Sequence, residues 1–552
     1  MTPAKSERTR ARIAKALVLA ASFAFRLPEL VHAREVNSDS AIVGLQAMHL
    51  GRGELSAFLW GSGYQSALDG YWAVPFFALL GPTPFALVLS ALVLHVIATM
   101  AVFSMGERHA RLARLPSPAL AGALLAMPLV LTTAAIHTYA LYPPRQASIT
   151  LAMLALVVVD RASGSRKRLV WLGLGGFLST FACAADPYAL VFAPLAALSA
   201  FVSAFEGPCG RRSVRFRILS RTEPGAKADT FGKSLLELGK PVFLRLAAST
   251  AGGLVGLLPL FLLWRSQGAK LGVTKLDASR IEHNTKLLLE TCGPWAFGST
   301  SYSASIEHPM SYAPWDMPRA YALFAKGAVC IFLALFPTAL LLSLAGRHLA
   351  FATRRAGLTG AIALPLTIYG FLTSVMVMDH FSMRYLASIP LLLPFALAPL
   401  VATFGTRKLA VLVALPLVAA GVSGWVSFGP DVNGPFVAKR APGPTDEERV
   451  QTFLAEKGVT YAMADYWTAY RVSFVTQERL IVVPTHEKQD RYAPHRKAFL
   501  ERRKVAYLID PLRTGESPDG VATELEKGTL MGAGVGVERA SVGRFSVFVV
   551  ER

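Results

Sequence analysis

Runs of apolar residues long enough to cross about 30 Å of hydrocarbon recur along the first 430 residues, separated mostly by short polar links. A helix is the natural form of such a run, because it satisfies its own backbone hydrogen bonds where no water is available. The pattern predicts about eleven spans, near residues 13–32, 84–105, 119–136, 147–160, 169–185, 189–205, 242–264, 321–345, 359–378, 386–405 and 408–428. Past residue 430 the long runs stop. From 438 to 552 the chain reads as a separate soluble domain, in which PTDEERVQTFLAEKG places Thr445 and Glu448 at capping-box spacing ahead of a helical repeat. Short β-rich runs follow at VTYAMAD, RLIVVPT, KVAYLID and FSVFVVER, which predicts a small α/β fold. The expected whole is a polytopic α-helical membrane domain over 1–430, with outer loops at 33–83 and 265–320, followed by this α/β domain.

Composition agrees. The 552 residues are 53% hydrophobic and 17% charged, with a mean hydropathy of +0.43, outside the range of soluble globular domains. The net charge of +20 does not point to nucleic acid, because the basic residues fall in alternate links between apolar runs. With the N-terminus (Lys5, Arg8, Arg10, Arg12) inside, the inward links carry Arg108, Arg111 and Arg114; Arg161, Arg166, Lys167 and Arg168; the basic loop 206–240; Arg347, Arg354 and Arg355; and Arg407 with Lys408. Every inward link is basic, as the positive-inside rule requires. The outer face then receives residues 33–83, the link HTYALYPPRQ, the corner at Asp186, the 265–320 loop, DHFSMRY and the C-terminal domain. The first span is interrupted by Arg26 and Pro28, and VHA at 31–33 resembles a signal-peptidase site. It is read here as a retained anchor.

The glycines of LGLGGF (172–177), Gly252 and Gly256 lie inside spans and read as close helix packing, not as nucleotide loops. Cys183, Cys209, Cys292 and Cys330 form no recognisable disulfide or zinc pattern. His49, His137, His283, His308 and His380 all fall on the outer side but show no ligand spacing.

The first outer loop concentrates polar chemistry. It holds Asp39, Glu54 and Asp69 among Trp60, Tyr64, Tyr71 and Trp72, and AIVGLQAMHL has a period that suits a helix lying along the membrane interface. The aromatics serve first as interfacial anchors. Ser38 and Asp39 also stand where a helix N-cap belongs, so a capping role competes with a catalytic one.

The order Asp39-x-Ala-x-x-Gly-Leu-x-Ala, Gly53-Glu54, Trp60-Gly-x-x-Tyr64-Gln65, Leu68-Asp69-x-Tyr71 and Gly81-Pro82 resembles the first periplasmic loop of the GT-C membrane glycosyltransferases, which include the family 39 protein mannosyltransferases and the aminoarabinose lipid A transferases. Arg384-Tyr385 ahead of an apolar span, and ADYWTAYRVSFVTQERLIVVP at 464–484, resemble the same superfamily. The resemblance implies a sugar moved from a polyprenyl-phosphate carrier to a lipid, glycan or protein acceptor at the outer face of a bacterial inner membrane. It implies Asp39 as catalytic carboxylate. Asp69 and Asp186 would help build the polar site, although Asp186, in the DPYAL corner, also stands where it would cap the helix after Pro187. Arg384 and Tyr385, then Arg145 and Lys270, would hold the donor phosphate. Trp60, Tyr64 and Gln65 are candidates for sugar or acceptor contacts. Many relatives carry an Asp-Glu pair where this chain has Asp39-Ser40, and HTYALYPPRQ lacks the frequent second-loop acid, so a divalent metal stays an open cofactor. Two other readings stand beside this one: a lipid or polysaccharide transporter or flippase, and a non-catalytic binding protein. Against the transporter, the notable charges gather at the outer ends of spans and no internal repeat is visible.

Overall fold

The computed structural model describes residues 3–27, 30, 33, 36–133, 140–163, 165–206, 228–267, 277–299, 302–304, 312–314, 319–426, 443–528 and 536–551. Among the described residues, seven helices are long and apolar enough to cross a membrane: Pro84–Leu112, Arg168–Ala185, Lys240–Pro259, Arg319–Ala345, Phe351–Thr373, Ser382–Phe404 and Thr406–Trp425. They match seven of the expected spans. The other expected spans are helical but short or strongly basic: Pro3–Ala24, Pro118–Val130, Gln146–Ala162 and Ala193–Ala204. The segment Ser388–Phe404 is buried along most of its length and forms the centre of the main core with Ala356, Leu125 and Leu156.

Helix contacts follow the small residues. A Cβ on Gly252 would lie 1.9 Å from the Gly173 carbonyl oxygen, and one on Gly176 would lie 2.1 Å from that of Ser249. Only glycine lets these two helices approach so closely, as the sequence suggested.

Arg26 has a definite role. It is fully buried beyond the end of Pro3–Ala24, and its guanidinium donates to the carbonyls of Leu129 at 2.9 Å and Val130 at 3.3 Å. Those carbonyls close the helix Pro118–Val130 and have no partner within it. The charge that interrupts one span therefore caps its neighbour. Several basic residues of the links expected to face inward also have structural partners. Asp160 binds Arg108, Arg355 at 3.1 Å and His109 at 3.3 Å. Glu206 binds Arg168 at 3.4 Å and Ser163.

Two short strands, β1 Tyr302–Ala304 and β2 Tyr312–Pro314, pair antiparallel. The C-terminal domain is built on a five-stranded sheet in the order β4-β3-β5-β7-β6, with β3 Tyr461–Ala464, β4 Ile481–Pro484, β5 Lys504–Ile509, β6 Gly536–Val542 and β7 Phe545–Glu551. The first three pair in parallel; β7 runs antiparallel to β5 and β6. The capping box at Thr445 and Glu448 is present, with Thr445 accepting from the Glu448 amide and Glu448 accepting from the Thr445 amide. The expected runs become β3, β4, β5 and β7. Strand β6 was missed because its residues are mostly exposed and carry no buried alternation.

The helix Ser38–Gly51, expected along the membrane interface, is buried within the protein on nearly all sides. It packs between Leu68–Leu80 and Tyr466–Val475, a helix of the C-terminal domain. Its polar positions are few, so the segment can bury both faces once a second domain covers it.

Candidate active site

The N-cap of Ser38–Gly51 is Asn37, whose side chain accepts from the Ser40 amide at 2.9 Å, worth about 1 kcal/mol. This corrects the capping role expected of Ser38 and Asp39. The Ser38 hydroxyl lies 2.8 and 2.7 Å from the carbonyls of Tyr466 and Trp467, tying the helix start to the C-terminal domain. The Asp39 carboxylate accepts from the Tyr142 hydroxyl at 3.0 Å and from the Tyr466 hydroxyl at 2.7 Å. Tyr466 is backed by Arg491, which lies 3.5 Å from its hydroxyl and also donates to the Gly61 carbonyl at 2.8 Å.

Tyr142 leads to the cations. Burial raises its hydroxyl pKa, the Asp39 charge adds to that, and the positive charges of Arg384 and Arg145 oppose it. Tyr142 thus hydrogen-bonds the carboxylate and feels the charge of both guanidinium groups. Arg384 donates to the Tyr385 hydroxyl at 3.4 Å, and its guanidinium carbon lies 5.3 Å from the centre of that ring; Arg145 lies 5.7 Å from the same centre. The Arg384 Nε is buried and has no hydrogen-bond partner among the described residues.

Arg145 is held by the two other acids. It takes a left-handed backbone, φ 77°, which a non-glycine residue adopts at a cost of about 1–2 kcal/mol. Asp69 stabilises that conformation: its carboxylate accepts from the Arg145 amide at 3.0 Å and the Ala147 amide at 2.8 Å. Burial pushes the Asp69 carboxyl up to about 7 against the lowering effect of those two amides. Asp186 lies 3.2 Å from the Arg145 Nε and accepts from the Tyr188 amide at 2.7 Å. It therefore caps the short helix Pro187–Val191 and pairs with a cation at once. Burial raises its carboxyl, and Arg145 opposes the rise.

Some of these groups, Arg145, Asp186 and Tyr385, line one end of a cleft of about 360 Å³. Arg145, Asp186, Tyr64 and Tyr385 line the polar part, while Leu190, Val191 and Leu366 line the rest. Leu190 and Tyr369 on its wall are exposed, so the cleft is open to the outside of the protein. A polar end carrying Arg145, with Arg384 over the same Tyr385 ring, joined to an apolar trough suits an amphipathic anion with a hydrocarbon tail.

The structure thus gathers Asp39, Asp69, Asp186, Arg145, Arg384 and Tyr385, with Tyr64 on the cleft wall. Asp39 itself stands behind Tyr142 and does not line the cleft. Gln65 is buried, and its Nε2 has no partner among the described residues. Trp60 is placed elsewhere, stacked on Tyr492 with ring centres 4.0 Å apart. Lys270 lies outside the described residues. Tyr142, Tyr466 and Arg491 escaped the sequence reading. Tyr142 had a signal in its neighbours Pro143, Pro144 and Arg145; Tyr466 and Arg491 had none that separates them from other residues of a soluble domain.

The chain is a multi-pass helical membrane protein with a C-terminal α/β domain. No protein-family model matches it, and no curated protein does. Among solved structures, 14 chains match. The ArnT of Cupriavidus metallidurans bound to undecaprenyl phosphate is similar with a TM-score of 0.49 and 12% identity, over 97% of each chain. The oligosaccharyltransferase of Archaeoglobus fulgidus, in complex with Zn and sulfate, is similar with a TM-score of 0.46 and 11% identity, over 96% of this chain and 72% of that one.

Proposed function

We propose that the chain is a membrane glycosyltransferase of GT-C type, which moves a sugar from a polyprenyl-phosphate carrier to a cell-envelope acceptor at the periplasmic face of a bacterial inner membrane. The observation that carries this reading is Asp39 hydrogen-bonded to Tyr142, which feels the charges of Arg145 and Arg384, beside a cleft lined by Arg145, Asp186 and Tyr385 and by apolar side chains. The motif order of the first loop supports it.

The chemistry is a displacement at the anomeric carbon with inversion. The bond from that carbon to the carrier phosphate breaks as the bond to the acceptor oxygen forms, and the acceptor proton passes to a carboxylate. Asp39 is the base in this scheme, with the two tyrosine hydroxyls holding its orientation and moving aside or relaying the proton when the acceptor binds. The charge left on the phosphate falls to Arg384 and Arg145, the first having a buried N–H without a partner and the second aimed by Asp69 and Asp186. Tyr64 borders the same space and would contact the sugar.

A second reading, a lipid-phosphate-binding protein without transfer, is favoured by one feature: both Asp39 oxygens are already engaged by tyrosines. Transfer from polyprenyl-phosphate sugars to a membrane extract separates the two. The glycosyltransferase reading expects labelled product with the native chain and a loss of about 10²-fold or more in Asp39→Asn, with insertion and carrier binding intact. Full transfer by a correctly folded Asp39→Asn protein would remove Asp39 from the chemistry. Carrier binding by the native chain with no transfer to any acceptor would leave the binding protein.

A further inference from the structure

A second cluster of ligating side chains lies at the joint between the first loop and the C-terminal domain. His49 is in the last turn of Ser38–Gly51, Glu478 is in the turn before β4, and His495 is in the helix Ala493–Leu500. Their ligand atoms all lie within 4.8 Å of one another. His49 Nε2 is 2.7 Å from Glu478 Oε1, and His495 Nε2 is 3.2 Å from the same oxygen. Three segments far apart in sequence thus bring two imidazoles and a carboxylate to one point.

The surroundings orient each group. Glu54 lies 2.8 Å from His49 Nδ1, which leaves Nε2 facing Glu478, the carboxylate–histidine arrangement found behind metal-binding imidazoles. Glu54 is itself held by the Tyr492 hydroxyl at 3.1 Å. Arg52 takes the other Glu478 oxygen, Oε2, at 3.0 Å, so Oε1 alone points at the two histidines. Glu478 is presented by a turn in which Gln477 and Glu478 both have left-handed backbones, φ 54° and 61°. Each costs about 1–3 kcal/mol and persists only where the surroundings require it. The Trp60 ring meets His49 edge-on at 4.8 Å and stacks on Tyr492, which restricts the imidazole and shields it.

We propose that His49 Nε2, Glu478 Oε1 and His495 Nε2 bind one divalent transition-metal ion of the zinc class, with water completing the coordination. Two imidazoles and one carboxylate suit zinc, whereas calcium and magnesium prefer all-oxygen sites. The ion is a clamp, not part of the transfer chemistry: His49 stands ten residues from Asp39, about 15 Å along the helix. Clamping holds the C-terminal domain on the first loop, and with it the Tyr466 hydroxyl on Asp39. The proposal is independent of the glycosyltransferase reading, because its readout is metal binding.

The test uses the full chain in detergent with any affinity tag removed, stripped with EDTA and titrated with zinc chloride. One zinc per chain by elemental analysis is expected, together with a rise in melting temperature on adding zinc and, with cobalt, the visible absorption of a tetrahedral site. His495→Ala and Glu478→Gln should lose zinc binding by tenfold or more. Glu54→Gln, which leaves all three ligands, should weaken it by about 10–100-fold. Because the ligand variants could misfold, Glu54→Gln and the stripped native chain carry the decision by themselves. No zinc uptake by the stripped native chain, or equal affinity in the native and Glu54→Gln chains, would overturn the clamp.

Discussion

Asp69 shows how a carboxylate can serve a site without touching its ligand. Both of its oxygens are spent on backbone amides, and what they stabilise is the left-handed turn that aims Arg145. Its carboxyl is pushed up to about 7, mainly by burial. An acid whose folded pKa lies above its unfolded value holds a proton that the unfolded chain has already released. Its stabilising contribution is therefore full below about pH 4 and is lost as pH rises through 7, with a slope of at most about 1.4 kcal/mol per pH unit. Asp69→Asn removes that slope. Melting of the two proteins in detergent at pH 5 and pH 8 should show a smaller decrease for the variant, while Arg145 loses its aim and carrier binding weakens. An unchanged pH dependence would mean that Asp69 is ionised in the fold throughout.

At the scale of elements, the contact between Ser38–Gly51 and Tyr466–Val475 decides what the first loop can do. Gly44 faces Phe474: a Cβ there would lie 2.5 Å from the ring, which is fully buried and stacked on Phe77 at 6.0 Å. The ring has little room to retreat, so Gly44→Leu should destabilise by about 1–3 kcal/mol. Combining it with Phe474→Ala should recover part of that loss, because the ring's volume is then free. A double-mutant cycle on thermal or denaturant unfolding measures the coupling; additive losses would show that the two residues do not meet.

Over the whole molecule, charge is distributed by two different rules that look alike in the sequence. Some basic residues of the links expected to face inward, such as Arg166, are exposed. Others bind buried acids, and Asp160 gathers Arg108, Arg355 and His109 from two other helices. Asp160→Asn would leave Arg108 and Arg355 without their counter-ion and should cost about 3–5 kcal/mol, seen as a large fall in melting temperature and yield. Arg166→Ala should change neither. At the opposite end, the C-terminal domain contributes Tyr466 and Arg491 to the surroundings of Asp39, so the site is assembled from both parts of the chain.

The sequence by itself determined the elements whose signal is local. Long apolar runs must be helices in hydrocarbon, glycine pairs mark close helix contacts, and the Thr445–Glu448 box starts a helix wherever the chain goes. It also held the positions of Asp39, Asp69, Asp186, Arg145 and Arg384, because carboxylates and guanidinium groups at the ends of apolar runs stand out. Only the tertiary structure decided their roles. Asn37 caps the helix in place of Ser38 and Asp39, because the cap depends on backbone angles. Arg26 caps a neighbouring helix, and Asp69 acts through Arg145, because both depend on partners that lie about a hundred residues away or fewer yet belong to other elements. Tyr466 reaches Asp39, and Glu478 reaches His49, across more than four hundred residues. No local pattern encodes a contact of that separation; it exists only once the core has packed and brought the two segments together.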